Sequence, residues 1–325
     1  MLSDTHDMTA RTWIIKTIAL TVFMLIAVVL LNMSIDIYGI FRNVRGRHLV
    51  VYGDERVAKY LLSEKYVPDN FDALLIGSSV SANWNMGNVD GLRIYNESLN
   101  GGNIVEEKTL VDQALAKSGI KVAIVIIHPF LTNSHEFETV RLTQRENFAA
   151  LGSQSLLDAY KDKVRSKLHP AEQAFDEFGT DDFGDAPQKL NPTLLKMMAP
   201  GSEFNIDEIA MSTYKSLIEE LHSAKVQIIY VIPPVSQPLL MSKAKAFANY
   251  SNAILASRFA QDKVIDFTSD EFEGFRKDTA NFTDGIHLNN QAARQVVAVI
   301  SNRLNTWIRD GQIPASQNRT TSRSR

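Results

Sequence analysis

The chain opens with one long apolar segment. Residues 17–33 (TIALTVFMLIAVVLLNM) carry no charge. Because a helix rises 1.5 Å per residue, this segment alone covers roughly 26 Å, close to the thickness of a bilayer core. No small-x-small cleavage site follows it, which favours an uncleaved anchor over a signal peptide or a buried core helix. The pattern predicts a single transmembrane span.

Beyond the span, short apolar runs alternate with amphipathic stretches. Apolar runs predict strands at 73–76, 93–95, 122–127, 227–232 and 264–267. Helical spacing predicts helices at 55–65, 106–117, 207–224 and 243–259, and a last helix capped by Asn289 or Asn290. Continuous apolar strands suit a parallel sheet that is covered on both faces. The order predicts an α/β fold with a doubly wound, mostly parallel five-stranded sheet.

About a hundred residues separate the third and fourth predicted strands. Residues 136–205 are polar and helical in pattern, with FDEFGTDDFGDAP marking a loop. A long excursion from the carboxyl end of a strand usually forms a cap beside the active site; a disordered surface insertion is the alternative. We therefore predict an anchor region (1–45), an α/β domain in two parts (46–135 and 206–310), a helical cap with a mobile loop (136–205) and a disordered basic tail (311–325).

Composition excludes several classes of function. The net charge of −3 gives no support for a nucleic-acid partner. The absence of cysteine excludes disulfides, thiolate metal sites and cysteine nucleophiles. The seven histidines are scattered, and there is no calcium-loop spacing or phosphate-binding glycine motif. We expect no metal and no cofactor.

Three motifs follow predicted strands or precede the last helix. Gly77-Ser78-Ser79 can place a serine on a tight turn with Oγ exposed and backbone N–H groups nearby. The glycine pair 101–102 lets backbone amides approach a ligand. Asp284-Gly285-Ile286-His287 can supply a base, with Asp284 accepting the Nδ1 proton so that Nε2 faces a nucleophile. Each alone also fits an ordinary turn or helix cap. Together they lie where open α/β sheets bind ligands.

In the order of these motifs the chain resembles the SGNH (GDSL-like) hydrolase and acyltransferase superfamily, over about 71–131 and 227–308. It is most similar to the membrane-anchored envelope branch, in which Gly-Ser-Ser replaces Gly-Asp-Ser. The resemblance implies a flavodoxin-like fold, with Ser79 as nucleophile, His287 as base and Asp284 as its partner. It also implies that the amides of Gly101 and Ser79 form an oxyanion hole.

One family motif is missing. The third block, Gly-x-Asn-Asp, supplies an oxyanion-hole Asn, but here the third strand runs into His128-Pro129-Phe130-Leu131-Thr132-Asn133. Asn133 or His128 substitutes for it, or Asn103 contributes from the second block, or the hole is one donor short. The loss of one donor costs on the order of 3 kcal/mol of transition-state stabilisation.

The resemblance implies acyl-ester chemistry through an acyl-serine, on a bacterial cell-surface polysaccharide. Water as acceptor makes an esterase and a sugar hydroxyl makes an O-acetyltransferase; the sequence leaves both open. The partners implied are a glycan acceptor and an acyl donor, supplied directly or through a membrane partner protein. The alternative is a non-catalytic glycan-binding or scaffold subunit of an envelope assembly machine, which the missing third block favours.

The orientation of the span is ambiguous from charge. Arg11 and Lys16 precede it, whereas Arg42, Arg45 and Arg47 follow it, so the positive-inside count weakly favours a cytoplasmic domain. Envelope acyltransferases meet their glycans outside the cytoplasm. We therefore predict a single-pass protein of the bacterial inner (cytoplasmic) membrane, with its C-terminal domain facing the periplasm or exterior.

Overall fold

The computed structural model describes residues 3–117, 119–132, 142–168, 175–185 and 204–315. Its centre is a six-stranded sheet with the order β2-β3-β1-β4-β5-β6. The strands are β1 (Ala73–Ile76), β2 (Asn88–Val89), β3 (Leu92–Asn96), β4 (Val122–Ile126), β5 (Gln227–Ile232) and β6 (Lys263–Asp266). All neighbours pair in parallel except β2 and β3. The predicted α/β class is right, but the predicted count of five strands is wrong, because two-residue β2 leaves no apolar run.

The sheet is buried on both faces. In β1, Leu74 and Ile76 pack in an apolar cluster with Leu61, Leu110 and Leu217. Ala73 and Leu75 pack in the cluster on the opposite face, against the last helix. This alternation explains why the strands read as continuous apolar runs, and it is the doubly wound arrangement that the sequence predicts.

The helices in the described part of the chain are α1 (Ser3–Ile35), α2 (Glu55–Asn70), α3 (Ile104–Leu115), α4 (Arg145–Ala149), α5 (Gln154–Leu168), α6 (Glu208–Ser223), α7 (Gln237–Ser242), α8 (Ala244–Leu255), α9 (Glu273–Lys277) and α10 (Asn290–Arg309). Asn289 caps α10 by accepting from the Ala292 N–H, in agreement with one of the two predicted caps. The predicted end of α2 at Lys65 is too early, because Pro68 lies inside the helix and does not stop it.

Residues 10–35 of α1 form a helix long and apolar enough to cross a membrane, with a mean hydropathy of 2.7. The predicted cap is described only in part, as α4, α5 and the segment 175–185, which holds most of the predicted loop (175–187). Residues 133–141, 169–174 and 186–203 of the cap region, and 316–325 of the predicted tail, lie outside the described residues. The segment 175–185 packs at the end of β3, where the Asn96 N–H donates to the Phe178 carbonyl at 2.7 Å.

Candidate active site

Ser79 is positioned by the end of β1. The strand stops at Ile76, and a 3-10 turn begins at Ser79. Gly77 makes the turn possible, because a Cβ there would collide with Ser81 Oγ and approach Ile126 Cβ to 3.0 Å. Ser79 itself is half-buried. The nucleophile candidate therefore lies at the carboxyl edge of the sheet, on a turn that tolerates only glycine before it.

The loop before α10 carries the candidate base and its partner. Asp284 Oδ1 accepts the N–H groups of Ile286 and His287 at 3.2 and 2.8 Å. Asp284 Oδ2 lies 2.7 Å from His287 Nδ1. A Thr283 N–H to His287 carbonyl bond of 2.8 Å closes the loop. The three-residue spacing thus lets one carboxylate fix both the backbone and the ring of His287.

The structure brings the three predicted residues together. His287 Nε2 lies 2.9 Å from Ser79 Oγ. Burial by itself would raise the pKa of Asp284, but the hydrogen bonds from His287 and the attraction to its ring outweigh burial and hold that pKa below its ordinary value. An ionised Asp284 places the His287 proton on Nδ1 and leaves Nε2 free to accept the Ser79 proton.

The glycine loop lies beside the Ser79 turn. The Leu99 N–H donates to the Gly77 carbonyl at 3.3 Å, and Ser78 and Leu99 form a parallel bridge. Gly101 adopts φ +63°, a conformation that favours glycine. Within the described ranges, neither the Ser79 N–H nor the Gly101 N–H donates to another residue. Both amides are available to an oxyanion.

Of the proposed substitutes for the missing Asn, one caps a helix and one lies outside the described residues. Asn103 is the N-cap of α3, where its side chain accepts from the Val105 and Glu106 N–H groups in a capping box. That carboxamide oxygen is committed to the helix. Asn133 lies outside the described residues.

His128 is the third candidate, and it is buried. β4 pairs with β1 and ends at Ile126, so His128 follows β4 at the same edge of the sheet at which Ser79 follows β1. His128 Nδ1 accepts the Phe130 N–H at 3.3 Å, so the ring proton is on Nε2. This Nε2 has no hydrogen-bond partner among the described residues. Burial, and then the charge of His287, lower the pKa of His128 to about 3. It is a neutral, unpartnered donor.

Sequence reasoning missed several residues around His287. The Phe130 ring stacks on the His287 ring at 6.5 Å between centroids, and the Phe183 ring meets it edge-on at 6.2 Å. Asn83 Nδ2 donates to the Leu288 carbonyl at 2.9 Å. No local pattern distinguishes Phe183 or Asn83, because both act across long sequence separations. The one sequence signal was that Phe130 lies two residues after His128, a candidate site residue.

A polar cavity of about 560 Å³ lies near the candidate triad, although Ser79, Asp284 and His287 do not line it. Phe183, which touches the His287 ring, donates its N–H to Asn290 Oδ1 at 3.3 Å, and Asn290 lines the cavity. Asn83 also lines it, is 6 % exposed, and has an Oδ1 that accepts no hydrogen bond from any residue described. The remaining lining residues are Asn85, Phe175, Asp176, Thr180, Asp181, Asp182, Arg294 and Val297. Carboxamides and carboxylates of this kind suit a ligand with many hydroxyl groups.

The opposite side of the Ser79 turn is apolar. Val80 and Ile286, next to Ser79 and His287 in sequence, pack in one buried cluster with Val235, Leu239 and Phe247. Phe130 packs against the same cluster. Among the described residues, no group of three or more His, Asp or Glu side chains could hold a metal ion.

No family model and no curated protein matches the chain. Solved structures that it resembles include a candidate platelet activating factor from Streptococcus pneumonia (TM-score 0.42, 12% identity, 76% of this chain and 91% of that one). A second is a lipase/acylhydrolase from Enterococcus faecalis (TM-score 0.35, 12% identity, 76% of this chain and 99% of that one). A third is a catalytic mutant of an acetylxylan esterase from Geobacillus stearothermophilus (TM-score 0.37, 12% identity, 76% of this chain and 96% of that one). At these identities and TM-scores the likeness carries no functional weight.

Proposed function

We propose that this chain is an SGNH-type serine enzyme that cleaves or transfers an O-acyl group, on a bacterial cell-surface polysaccharide. One observation carries the proposal: Ser79 Oγ, His287 Nε2 and Nδ1, and Asp284 Oδ2 form a continuous hydrogen-bonded series of 2.9 and 2.7 Å. A scaffold has no evident use for a serine, an imidazole and a carboxylate in this arrangement.

The reaction follows from the series. Ser79 Oγ attacks the ester carbonyl carbon while its proton passes to His287 Nε2. The tetrahedral oxyanion is held by the N–H groups of Ser79 and Gly101, and His128 Nε2–H is the third donor. His287 then gives its proton to the departing alcohol oxygen, and the acyl group remains on Ser79. Water or a sugar hydroxyl, deprotonated by His287, attacks this acyl-serine and restores the free Ser79.

The two sides of the site support a sugar ester as substrate. The polar cavity lined by Asn83, Asn290 and Arg294 suits the hydroxyl-rich alcohol part. The apolar cluster around Val80 and Ile286 suits the acyl part. The acyl donor comes directly or through a membrane partner protein.

Turnover of an activated acetyl ester by the full chain tests the proposal. Ser79→Ala should lower the rate by at least a thousandfold, whereas the matched control Ser212→Ala, at an exposed position on α6, should match the parent. Hydrolysis by Ser79→Ala at the parent rate would show that the nucleophile is wrong and would favour the non-catalytic glycan-binding or scaffold subunit.

We also propose that α1 anchors the chain in the inner membrane with the α/β domain in the periplasm or exterior. The length and hydropathy of residues 10–35 support the anchor. A reporter active only outside the cytoplasm, fused after Arg325, should be active. If it is silent while a cytoplasmic reporter at the same site is active, the orientation is wrong, although Ser79 chemistry would stand.

A further inference from the structure

α5 carries an apolar stripe on the side turned away from the core. Its inner face buries Leu156 and Ala159. On the other side Leu157, Val164 and Leu168 follow one another at i, i+7 and i+11, so they share one face. Val164 is 63% and Leu168 74% exposed. A surface helix normally presents polar residues there, and a contiguous exposed apolar face marks an interaction site.

The stripe is joined to the carboxyl end of α1. Asn32, near the end of α1, donates from Nδ2 to the Leu151 carbonyl at 2.7 Å. The Tyr160 hydroxyl of α5 donates to Asn32 Oδ1 at 3.1 Å. Residues 10–35 number 26, about 39 Å of helix against a hydrocarbon core of about 30 Å. The Asn32 end of a span of this length therefore lies near a membrane interface. The hydrogen bonds of Asn32 hold α5 at the same depth.

Basic residues flank the stripe. Lys161, Arg165 and Lys167 are exposed on α5. Burial, followed by the charges of Lys167 and Arg47, lowers the pKa of Lys163. The Lys163 side chain therefore lies close to the charges of Lys167 and Arg47. Lys161 pairs with Asp158 at 2.8 Å. Apolar side chains bordered by Lys and Arg are the composition of a helix that lies in the headgroup region of a bilayer containing anionic lipid.

We propose that the outer face of α5 (Leu157, Val164 and Leu168) is a membrane-docking surface that rests on the same bilayer that α1 spans. The inference depends on the proposed anchor. The docking holds the α/β domain against the membrane at two points, the end of α1 and α5.

Because the chain has no native cysteine, a label can be attached at one chosen position, which allows a direct test. Single-cysteine variants of the full chain, Leu157→Cys, Val164→Cys and Leu168→Cys, would carry a nitroxide in nanodiscs of phosphatidylethanolamine and phosphatidylglycerol. Collision of each label with oxygen, which partitions into lipid, is compared with collision with a water-soluble nickel chelate. Phe23→Cys reports on the α1 span, and Asn302→Cys, exposed on α10, is the aqueous control.

We expect the α5 labels to show at least a threefold higher oxygen-to-nickel ratio than the Asn302 label, and Phe23 a still higher ratio. If Phe23 is immersed while all three α5 labels match Asn302, the docking surface is wrong and the anchor stands. If the Phe23 label is also aqueous, both the docking surface and the anchor are wrong. Labels on α5 that are shielded from both probes would show that protein, and not lipid, covers the face, which also overturns the proposal.

Discussion

His287 Nε2 lies 2.9 Å from Ser79 Oγ, although 208 positions separate the two residues in the chain. The sheet brings the two residues together, because Ser79 follows β1 and His287 lies three residues before the start of α10, which packs on the face containing Leu75. Neither residue needs to move to exchange a proton. The remaining requirements are the correct imidazole tautomer and donors for the oxyanion, and each can be tested.

The tautomer is set by Asp284. We expect Asp284→Asn to lower kcat by on the order of 10⁴, the loss known for the equivalent change in a serine-protease triad, because an amide donor at this position misorients the imidazole. The fold should persist, since Asn Oδ1 can still accept the Ile286 and His287 N–H groups. Steady-state kinetics alongside circular dichroism check this. Retention of more than a tenth of parent activity in a folded variant would contradict the role of Asp284.

We propose His128 as the third oxyanion donor. His128→Ala should lower kcat by about 10²–10³ with little change in KM, because the donor acts on charge that develops in the transition state. His128→Gln, which keeps an N–H donor, should recover part of the loss. Equal kcat in the parent and the alanine variant would remove His128 from the oxyanion hole.

The pH profile separates His128 from His287. Burial, and then the charge of His287, hold the pKa of His128 at about 3, so His128 stays neutral throughout pH 5–9. Any change of activity with pH in this range must therefore come from groups other than His128, and its midpoint should be the same in His128→Gln as in the parent. A midpoint that moves by a unit or more would show that His128 itself titrates in this range.

The polar cavity should determine how well the glycan binds, and it should have little effect on cleavage of the ester bond itself. Arg294 lines the cavity, whereas Arg303, on the same helix, pairs with Glu271 at 3.1 Å. Arg294→Ala should reduce kcat/KM for an O-acetylated oligosaccharide about tenfold, the effect of one lost charge-assisted hydrogen bond, and affect a small activated ester less than twofold. Arg303→Ala is the matched control. Equal losses of kcat/KM on both substrates would show that the cavity does not bind the sugar.

Glu97 makes stability pH-dependent. It is fully buried behind the glycine loop, and burial raises its pKa to about 7, although the Ser63 hydrogen bond and the Lys59 charge oppose the rise. Since this folded-state pKa exceeds the ordinary value of 4.5, the folded state binds the proton more tightly. Its stabilising effect is complete below about pH 4.5 and is lost as pH rises through about 7.

Glu97→Gln removes this dependence. Relative to the parent, the free energy of unfolding of the variant should increase by on the order of 3 kcal/mol between pH 4.5 and pH 8. Urea unfolding at several pH values measures the difference, in which the contributions of other buried acids cancel. Parallel stability curves for the two proteins would contradict the burial of an ionisable Glu97.

The sequence predicted the sheet better than the surroundings of the site. The bounds of β1 and β5 agree with the apolar runs at 73–76 and 227–232, because strands buried on both faces must be continuously apolar. The predicted helix at 243–259 corresponds to α8, which ends at Leu255, whereas the six-residue helix α7 before it was not predicted, since helical spacing alone does not locate helix ends or so short a helix. The Phe183–His287 contact joins the cap to the last loop, and no local pattern encodes such a contact. The tautomer of His128 depends on the Phe130 N–H, which only the folded turn presents.

Covalent trapping of the nucleophile tests the central claim most directly. The folded full chain is treated with a fluorophosphonate, and the modified peptide is identified by mass spectrometry. The account predicts one phosphonylated residue, Ser79, labelling at least a hundredfold slower in His287→Ala, and no labelling in Ser79→Ala. A parent protein that stays unlabelled, or that is labelled at a different serine while Ser79 remains intact, would contradict it.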